Sequence, residues 1–319
     1  MLLSRVAESV YWAGRYLERA EATARLIQVH TELFLDLPKS AGIGWTPLLA
    51  VTGSGESFRD RHPDASEERV IRFLAGDADN PGSIATSVAG AHANLRVTRA
   101  ILPRESWEVL NQLHHWAADT RADAVDRRTR LAWTRQLIRQ CQLLSGLLEG
   151  NMSHDDTYAF LLIGRYLERA DMTTRVLDVE SGILVGQRDG AAPYADVTWT
   201  SVLRSLSAHQ MFRRTAGVMV SGPSALQFLL RDPQFPRSVE RCLIEVSQAL
   251  LELSRYDDPM AGCAEVQELL EQTPIDSMTA EGLHDYVDLL QSGLAGLHGL
   301  LAATYFQREP STDPVLLAG

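Results

Sequence analysis

The chain has 319 residues, of which 45% are hydrophobic and 22% are charged, as in a typical soluble globular protein. This composition excludes a disordered chain, a collagen-like chain and a multi-span membrane protein. The formal net charge of −11 is opposite to the basic charge on which sequence-independent nucleic-acid binding depends, so neither DNA nor RNA is expected as a partner.

The first predicted element is a helix close to the N-terminus. One apolar face of it is formed at intervals of three or four residues by Val6, Val10, Ala13, Leu17, Ala20, Ala24 and Ile27. Charge at Arg5 and Glu8 leaves no room before this helix for the apolar core of a signal peptide. No run approaches the ~18 apolar residues of a membrane span. We therefore expect a cytoplasmic protein without a membrane partner.

Further along the chain, helical spacing recurs and alternating strands are absent. Segments rich in Gly, Pro or Asp predict irregular structure at 36–46, 59–68, 185–198 and 307–319. Residues 126–149 and 264–305 show helical spacing. A second long helix over Phe160 to Leu177 is expected to begin near residue 154, because Ser153 and Asp156 resemble a capping box.

The sequence contains an internal duplication. The block from Gly14 to Ala20 recurs letter for letter from Gly164 to Ala170, at an offset of 150. Two further blocks match at offsets of 154 and 155: Trp45, Leu49 and Phe58 match Trp199, Leu203 and Phe212, and Asp77, Pro81 and Ser83 match Asp232, Pro236 and Ser238. Three blocks in the same order indicate one ancestral unit of about 150 residues used twice.

The predicted fold is all-α, with two tandem helical repeats packed into one pseudo-twofold body. The repeats cover residues 1–149 and 150–306, and 307–319 form a C-terminal tail. Each repeat alone would leave an apolar helix face uncovered, which favours one compact domain over two separate units.

The duplicated Glu-Arg pairs are the strongest candidates for a site. Glu18 and Glu168 follow leucines of the apolar face, so each carboxylate lies at the edge of the core and needs a partner. The candidate signature or ligand-binding residues are Arg15, Glu18, Arg19, Arg25, Arg165, Glu168, Arg169 and Arg175. Two interpretations stay open: ion pairs that fix the packing of the two repeats, or a central site for a polar or zwitterionic ligand.

A secondary motif lies in the two matched loops at 77–83 and 232–238. Its candidate residues are Asp77, Asn80, Ser83, Asp232 and Ser238, and Phe235 stands where the second loop would carry the asparagine. Each loop is expected to end one helix and to open the next with its serine.

Other chemistry is weakly indicated. Glu281 and His284 form a single E-x-x-H, whereas a di-iron bundle needs two such motifs and two more carboxylates. Cys141 lies in an apolar helical run and is expected in the core. The sequence has no phosphate loop, no metal cluster and only one lysine, Lys39, so we predict no cofactor and no resident metal.

The duplicated Gly-Arg-Tyr-Leu-Glu-Arg-Ala block, the Asp-x-x-Asn-Pro-x-Ser loop at 77–83 and the Glu105-x-Trp107 pattern followed by Leu110-Asn111 resemble the bacterial alpha-E family of all-helical proteins. The resemblance extends over essentially the whole chain. It implies an association with circularly permuted ATP-grasp proteins and with transglutaminase-like proteases, and hence with making and removing amide or peptide bonds. It implies no catalytic residues.

Two functions follow as hypotheses. In the first, the protein is a non-catalytic accessory that docks a circularly permuted ATP-grasp ligase, or a transglutaminase-like protein, or binds the ligase's peptide-like substrate. The excess acidic charge would place the docking surface in residues 151–319. In the second, the protein is itself an amide or peptide ligase, or an amide-processing enzyme, acting at the paired Glu-Arg site. The missing phosphate loop and nucleophile motif favour the first hypothesis.

Overall fold

The computed structural model describes residues 4–36, 44–186, 195–217, 219–273, 275 and 280–307, with the backbone alone described for 180–186, 195–196 and 280–281. The helices are α1 (Ser4–Asp36), α2 (Thr46–Val51), α3 (Gly55–Arg59), α4 (Glu67–Gly76), α5 (Ile84–Val97), α6 (Arg104–Asp119), α7 (Arg121–Val125), α8 (Arg130–Asn151), α9 (Asp156–Gly186), α10 (Ala195–Ser205), α11 (His209–Ala216), α12 (Gly222–Arg231), α13 (Val239–Leu251), α14 (Asp257–Gln272) and α15 (Ala280–Leu301). No strand occurs among the described residues, so the all-α prediction is confirmed.

Two long helices form the centre of the molecule. α1 packs along α9, and each central helix is flanked by helices of its own half. In the first half α5 and α8 pack on α1, and α6 packs on α5 and α8. In the second half α13 and α15 pack on α9, and α14 packs on α13 and α15. The superposition of the two complete halves stays a prediction.

The apolar core is shared by the two halves. One cluster of buried side chains includes Ile27 of α1, Leu137 of α8, Ile163 of α9 and Val287 of α15. A smaller cluster lies between α1, α5, α6, α8 and the start of α9. Among the described residues, no helix is both long enough and apolar enough to cross a membrane.

The start of α9 differs from the prediction. The helix begins at Asp156, and the capping side chain is Asp155, whose Oδ1 accepts hydrogen bonds from the backbone N–H groups of Thr157 and Tyr158 at 2.9 and 3.3 Å. The predicted capping box from Ser153 is therefore wrong. A carboxylate directly before the first helical residue reaches the free N–H groups that Ser153, two residues earlier, would have had to satisfy.

Other predicted boundaries are approximate. The helix expected over 126–149 begins at Arg130, because residues 126–129 form a turn in which Thr129 N donates to Asp126 O. The run at 264–305 is divided between α14 and α15. Parts of three predicted irregular segments, 37–43, 187–194 and 308–319, lie outside the described residues. The prediction is wrong at 185–186 and 195–198, which belong to α9 and α10, whereas residues 60–66 join α3 to α4.

Candidate functional site

The carboxylate of Glu168 is held by two arginines of the opposite central helix. Glu168 lies on α9, and its Oε2 accepts from Arg15 Nε at 2.6 Å and from Arg19 Nη2 at 3.0 Å. Its Oε1 accepts from Arg19 Nε at 2.5 Å. The Glu168 side chain is 1% exposed. We call Glu168, Arg15 and Arg19 the Glu168 cluster.

The carboxylate of Glu18 makes the reciprocal interaction. Glu18 lies on α1 and accepts from Arg169 of α9, with Nε at 3.0 Å and Nη2 at 2.7 Å. A second guanidinium, that of Arg237 in the loop before α13, donates to Glu18 Oε1 at 2.5 Å. We call these three residues the Glu18 cluster. Both glutamates are thus buried and paired with arginines of other elements, as the sequence predicts.

Charge and burial oppose each other in these clusters. Burial alone would raise the pKa of Glu18, but Arg169 and Arg237 outweigh it and hold the pKa well below its ordinary 4.5. Burial likewise would raise the pKa of Glu168, and Arg15 and Arg19 lower it below the ordinary value. Both carboxylates are therefore ionised at neutral pH, so neither can serve as a general acid there.

A second pair of carboxylates lies one turn further along the central helices. Glu21 of α1 accepts from Arg25, and also from Arg237 Nη2 at 3.0 Å. Asp171 of α9, its counterpart, accepts from Arg175 Nε at 2.9 Å. Burial, followed by the positive charge of Arg237, lowers the pKa of Arg25. Arg237 therefore joins the i,i+4 pair Glu21–Arg25 to the Glu18 cluster, whereas Asp171–Arg175 is a separate i,i+4 pair.

Arg165 is the candidate residue with the fewest direct contacts. It is buried, with 8% of the residue exposed, and its positive charge helps to lower the pKa of Glu18. Its counterpart Arg15 hydrogen-bonds to Glu168. In the Glu18 cluster the corresponding second guanidinium comes from Arg237 instead of Arg165. Arg237 was missed in the sequence analysis. The signal that could have found it is its place in the Asp-x-x-x-Pro-x-Ser loop, where the first half has Gly82.

The secondary-motif residues shape the loops that face the clusters. Ser83 accepts from Thr86 N at the start of α5, and Ser238 accepts from Arg241 N at the start of α13. The two serines are therefore helix caps, as predicted. Asp77 Oδ1 accepts from Asp79 N in the first loop.

The asparagine of the first loop has no polar equivalent in the second. Asn80 Nδ2 donates to Phe73 O at 3.0 Å, and Asn80 Oδ1 accepts from Gly82 N at 3.0 Å. In the second loop Asp232 Oδ1 accepts from the backbone N–H groups of Gln234 and Phe235, and the Phe235 ring packs 4.8 Å from that of Phe228. The predicted difference between the loops is thus a hydrogen bond replaced by a ring contact.

A cavity of about 300 Å³ with charged, polar and apolar lining residues adjoins the Glu168 cluster. We call it the first-half cavity. It is lined on one side by Arg19, Glu168, Asp171 and Arg175 of the central helices, and on the other by Thr52, Ser54 and Gly82 of two loops. Thr23 also lines it, and its hydroxyl, in a residue only 1% exposed, hydrogen-bonds to none of the described residues. The Glu168 cluster therefore borders a space large enough for a small molecule.

The cysteines lack the features of catalytic thiols. Cys141, Cys242 and Cys263 are all buried. Burial raises the pKa of Cys141, raises that of Cys242 to about 12 and raises that of Cys263 to about 11. A thiol becomes a good nucleophile when its pKa is lowered, so these residues act as core side chains.

His284 is part of an exposed acidic group. Its Nδ1 lies 2.5 Å from Asp178 Oδ1 on α9, and its Nε2 lies 3.8 Å from Asp288 Oδ2. Hydrogen bonding to Asp178, followed by the charges of Asp178 and Asp288, raises the pKa of His284, as in an ordinary ion pair. The other member of the E-x-x-H is Glu281, whose side chain is not among those that the structure describes.

The reciprocal Glu-Arg clusters identify the motif by which a known family is defined. A family model named Alpha-E, described as a predicted alpha-helical domain with a conserved ER motif, matches residues 2–306. The chain belongs to the Alpha-E family. In this Alpha-E protein the sequence Glu-Arg stands at 18–19 on α1 and at 168–169 on α9, and the two helices exchange ion pairs there.

Two curated relatives are similar over most of the chain. An uncharacterized protein of Mycobacterium bovis and one of Mycobacterium tuberculosis are each 27% identical over 325 aligned residues, which cover 93% of this chain. The chain spans 35% of the length of each of these relatives. No solved structure matches the chain.

Proposed function

We propose that this Alpha-E protein is a non-catalytic accessory or binding component of an ATP-grasp-linked system that forms amide or peptide bonds in the cytoplasm. It docks the circularly permuted ATP-grasp ligase or binds the ligase's peptide-like substrate, and a transglutaminase-like protein is a second partner. The observation that carries the proposal is the first-half cavity, which is bordered by arginines and fixed carboxylates.

The cavity contains binding groups without a catalytic pair. No histidine or cysteine lines it among the described residues, so its serine and threonine hydroxyls have no adjacent base of the usual kind. Its arginines stay charged and cannot accept a proton. Such a set of groups supports binding and orientation of a substrate, with the bond-forming chemistry supplied by another protein.

The length of the relatives also supports a component role. Because the matched region is about a third of each mycobacterial relative, the Alpha-E region there is joined to further chain. The low lysine content and the absence of a phosphate loop in the present sequence leave the nucleotide site to the ligase. We place the docking surface for the ligase in residues 151–319, because these residues carry the excess acidic charge.

The test is a comparison of the isolated chain with the chain plus its ligase. Calorimetric titration with Mg-ATP should give no low-micromolar binding to the isolated protein, and ATP hydrolysis should be absent. Size-exclusion chromatography with a circularly permuted ATP-grasp protein from the same genome should give a stable complex. Hydrolysis of ATP by this chain alone would reject the accessory role and support the enzyme alternative.

A further inference from the structure

The two halves differ at one position that faces the ion-pair network. Arg237, in the second loop, inserts its guanidinium between Glu18 and Glu21, at 2.5 and 3.0 Å. The matched residue of the first loop, at the offset of 155 that also relates Ser83 to Ser238, is Gly82. Gly82 has no side chain to insert, and the first-half cavity lies against it.

A second pair of matched turns, after α2 and after α10, shares a backbone conformation. Gly53 has a φ of 64°, and Ser207, its counterpart at the offset of 154, has a φ of 54°. Gly53 N donates to Ala50 O, as Ser207 N donates to Arg204 O. The side chains around these matched turns can therefore be compared position by position.

That comparison shows polar residues only on the side of the cavity. Thr52, Ser54 and Ser57 line the first-half cavity, and their counterparts are Leu206, Ala208 and Met211. These three differences and that between Gly82 and Arg237 leave an open region with hydroxyl groups in the first half, whereas the matched region of the second half has apolar side chains and an arginine. The packing of the helices does not require this difference between the halves. A ligand site in the first half would account for it.

The cavity offers hydrogen-bond donors that the network does not use. Arg175 binds Asp171 through Nε, and its two terminal nitrogens hydrogen-bond to none of the described residues. Arg19 uses Nε and Nη2 for Glu168, and its Nη1 makes no hydrogen bond within the described part of the chain. The Thr23 hydroxyl is unpaired there too, whereas its counterpart Thr173 donates to Arg237 O at 2.9 Å.

From these contacts we propose that the first-half cavity binds the carboxylate of an amino acid or short peptide between Arg19 and Arg175, which rests on the proposed role as a binding component. Guanidinium groups present paired N–H donors that match the two oxygens of a carboxylate. Asp171, on the same wall, offers an acceptor to the amino group of such a ligand. A volume of about 300 Å³ is at the lower end of small-ligand sites and suits a molecule of this size.

The test is isothermal titration calorimetry of the full chain with three probes. Glycylglycine should bind, glycylglycine amide should bind at least ~10-fold more weakly because its carboxylate is missing, and inorganic phosphate should not displace the dipeptide. Binding of the amide as tight as that of the acid, binding of phosphate alone, or binding of none of the probes would each show the proposal to be wrong.

Two variants locate the binding. Gly82→Arg copies the arginine of the second loop into the cavity, and should abolish dipeptide binding. A Cβ at Gly82 would lie 3.4 Å from Asn80 Oδ1, an ordinary contact, so the fold tolerates the change. Gln234→Arg adds the same side chain at an exposed position of the matched loop, and should leave the affinity unchanged.

Arg175→Gln provides an independent test, because this residue is a third exposed and its loss leaves the clusters intact. It should weaken glycylglycine binding at least ~10-fold, with an unchanged thermal unfolding midpoint. Unchanged dipeptide affinity in both Gly82→Arg and Arg175→Gln would overturn the assignment of the cavity. The proposed accessory function is tested by a different measurement, ATP hydrolysis by the isolated chain, so the two proposals can fail independently.

Discussion

Gly14 and Gly164 lie at the crossing of the two central helices, each against the backbone of the other helix. A Cβ on Gly14 would overlap the carbonyl oxygen of Leu161, and a Cβ on Gly164 would overlap that of Tyr11. The missing side chains let α1 and α9 approach closely. Because each glycine lies four residues before a glutamate, on the same helix face, this approach brings the Glu18 and Glu168 clusters together.

Gly164→Ala is expected to lower the free energy of unfolding by at least ~1–3 kcal/mol, because the new methyl group meets backbone atoms that cannot rotate away. Gly14→Ala should act in the same direction. Urea unfolding followed by circular dichroism measures the change.

The matched control is Gly146→Ala, in α8. A Cβ at Gly146 has no heavy atom within 4 Å, and the residue is exposed, so alanine should raise the stability by roughly 0.5–1 kcal/mol through helix propensity. Equal effects at positions 164 and 146 would contradict the close approach of the central helices.

Glu18→Ala and Glu168→Ala should each destabilise the protein by ~3–5 kcal/mol, because each leaves buried guanidinium groups without their carboxylate. Glu108→Ala is the control, since the Glu108 side chain pairs with Arg104 on the surface and is 51% exposed. Its loss should cost less than ~1 kcal/mol. If the variants at 18 and 168 melted like the wild type, the clusters would have no structural role.

Stability should fall in acid in two stages with different origins. Burial lowers the pKa of His30 from 6.5 to about 4, so the folded state resists a proton that the unfolded chain accepts, and its contribution is lost as the pH falls from 6.5 towards 4. The depressed pKa values of Glu18 and Glu168 give a contribution that is complete above 4.5 and lost as the pH falls further.

Urea unfolding at pH values from about 7 to 3 separates the two stages. His30→Gln should reduce the slope of the upper stage and leave the lower stage unchanged, and Glu168→Gln should reduce the slope of the lower one. A slope below pH 4.5 that is unchanged in Glu168→Gln would show that this carboxylate takes up no proton on unfolding.

The cysteines should be unreactive in the folded protein. All three thiols are buried with raised pKa values, so a disulfide reagent such as Ellman's reagent at pH 8 should label them only at the rate at which the protein unfolds. Full labelling in 6 M guanidinium chloride supplies the control. A burst of one thiol equivalent from the native protein would indicate an accessible, activated cysteine.

The helical class and the need of the two glutamates for charged partners could be predicted, because both depend on patterns within one segment. The stripe around Leu17 predicts a helix, and a carboxylate at its edge predicts an arginine partner. The role of Arg237 could not be deduced in this way. Its contact with Glu18 joins residues more than 200 positions apart, which the packing of both α1 and α13 on α9 brings together.

The cavity was hidden for a similar reason. Thr52, Ser54 and Ser57 form part of a short polar stretch that is typical of a helix connection, and the sequence alone indicates nothing more. Their significance depends on Gly82, which lines the same cavity, and on Arg175 of the central helix α9. The start of α9 shows the limit of local patterns too, since the sequence predicted a cap from Ser153 whereas the side chain that caps the helix is that of Asp155.

The two extremities of the described chain meet. Ser4 Oγ donates to Gln307 O at 3.4 Å, and Tyr11 Oη lies 2.8 Å from His298 Nδ1 near the end of α15. Because residues 4 and 307 are adjacent, a domain of this kind can be inserted into a loop of a longer polypeptide with both connections at one place on its surface. The same geometry makes a circular permutant, joined from residue 307 to residue 4 by a short linker and opened at another loop, a fold-preserving rearrangement of this chain.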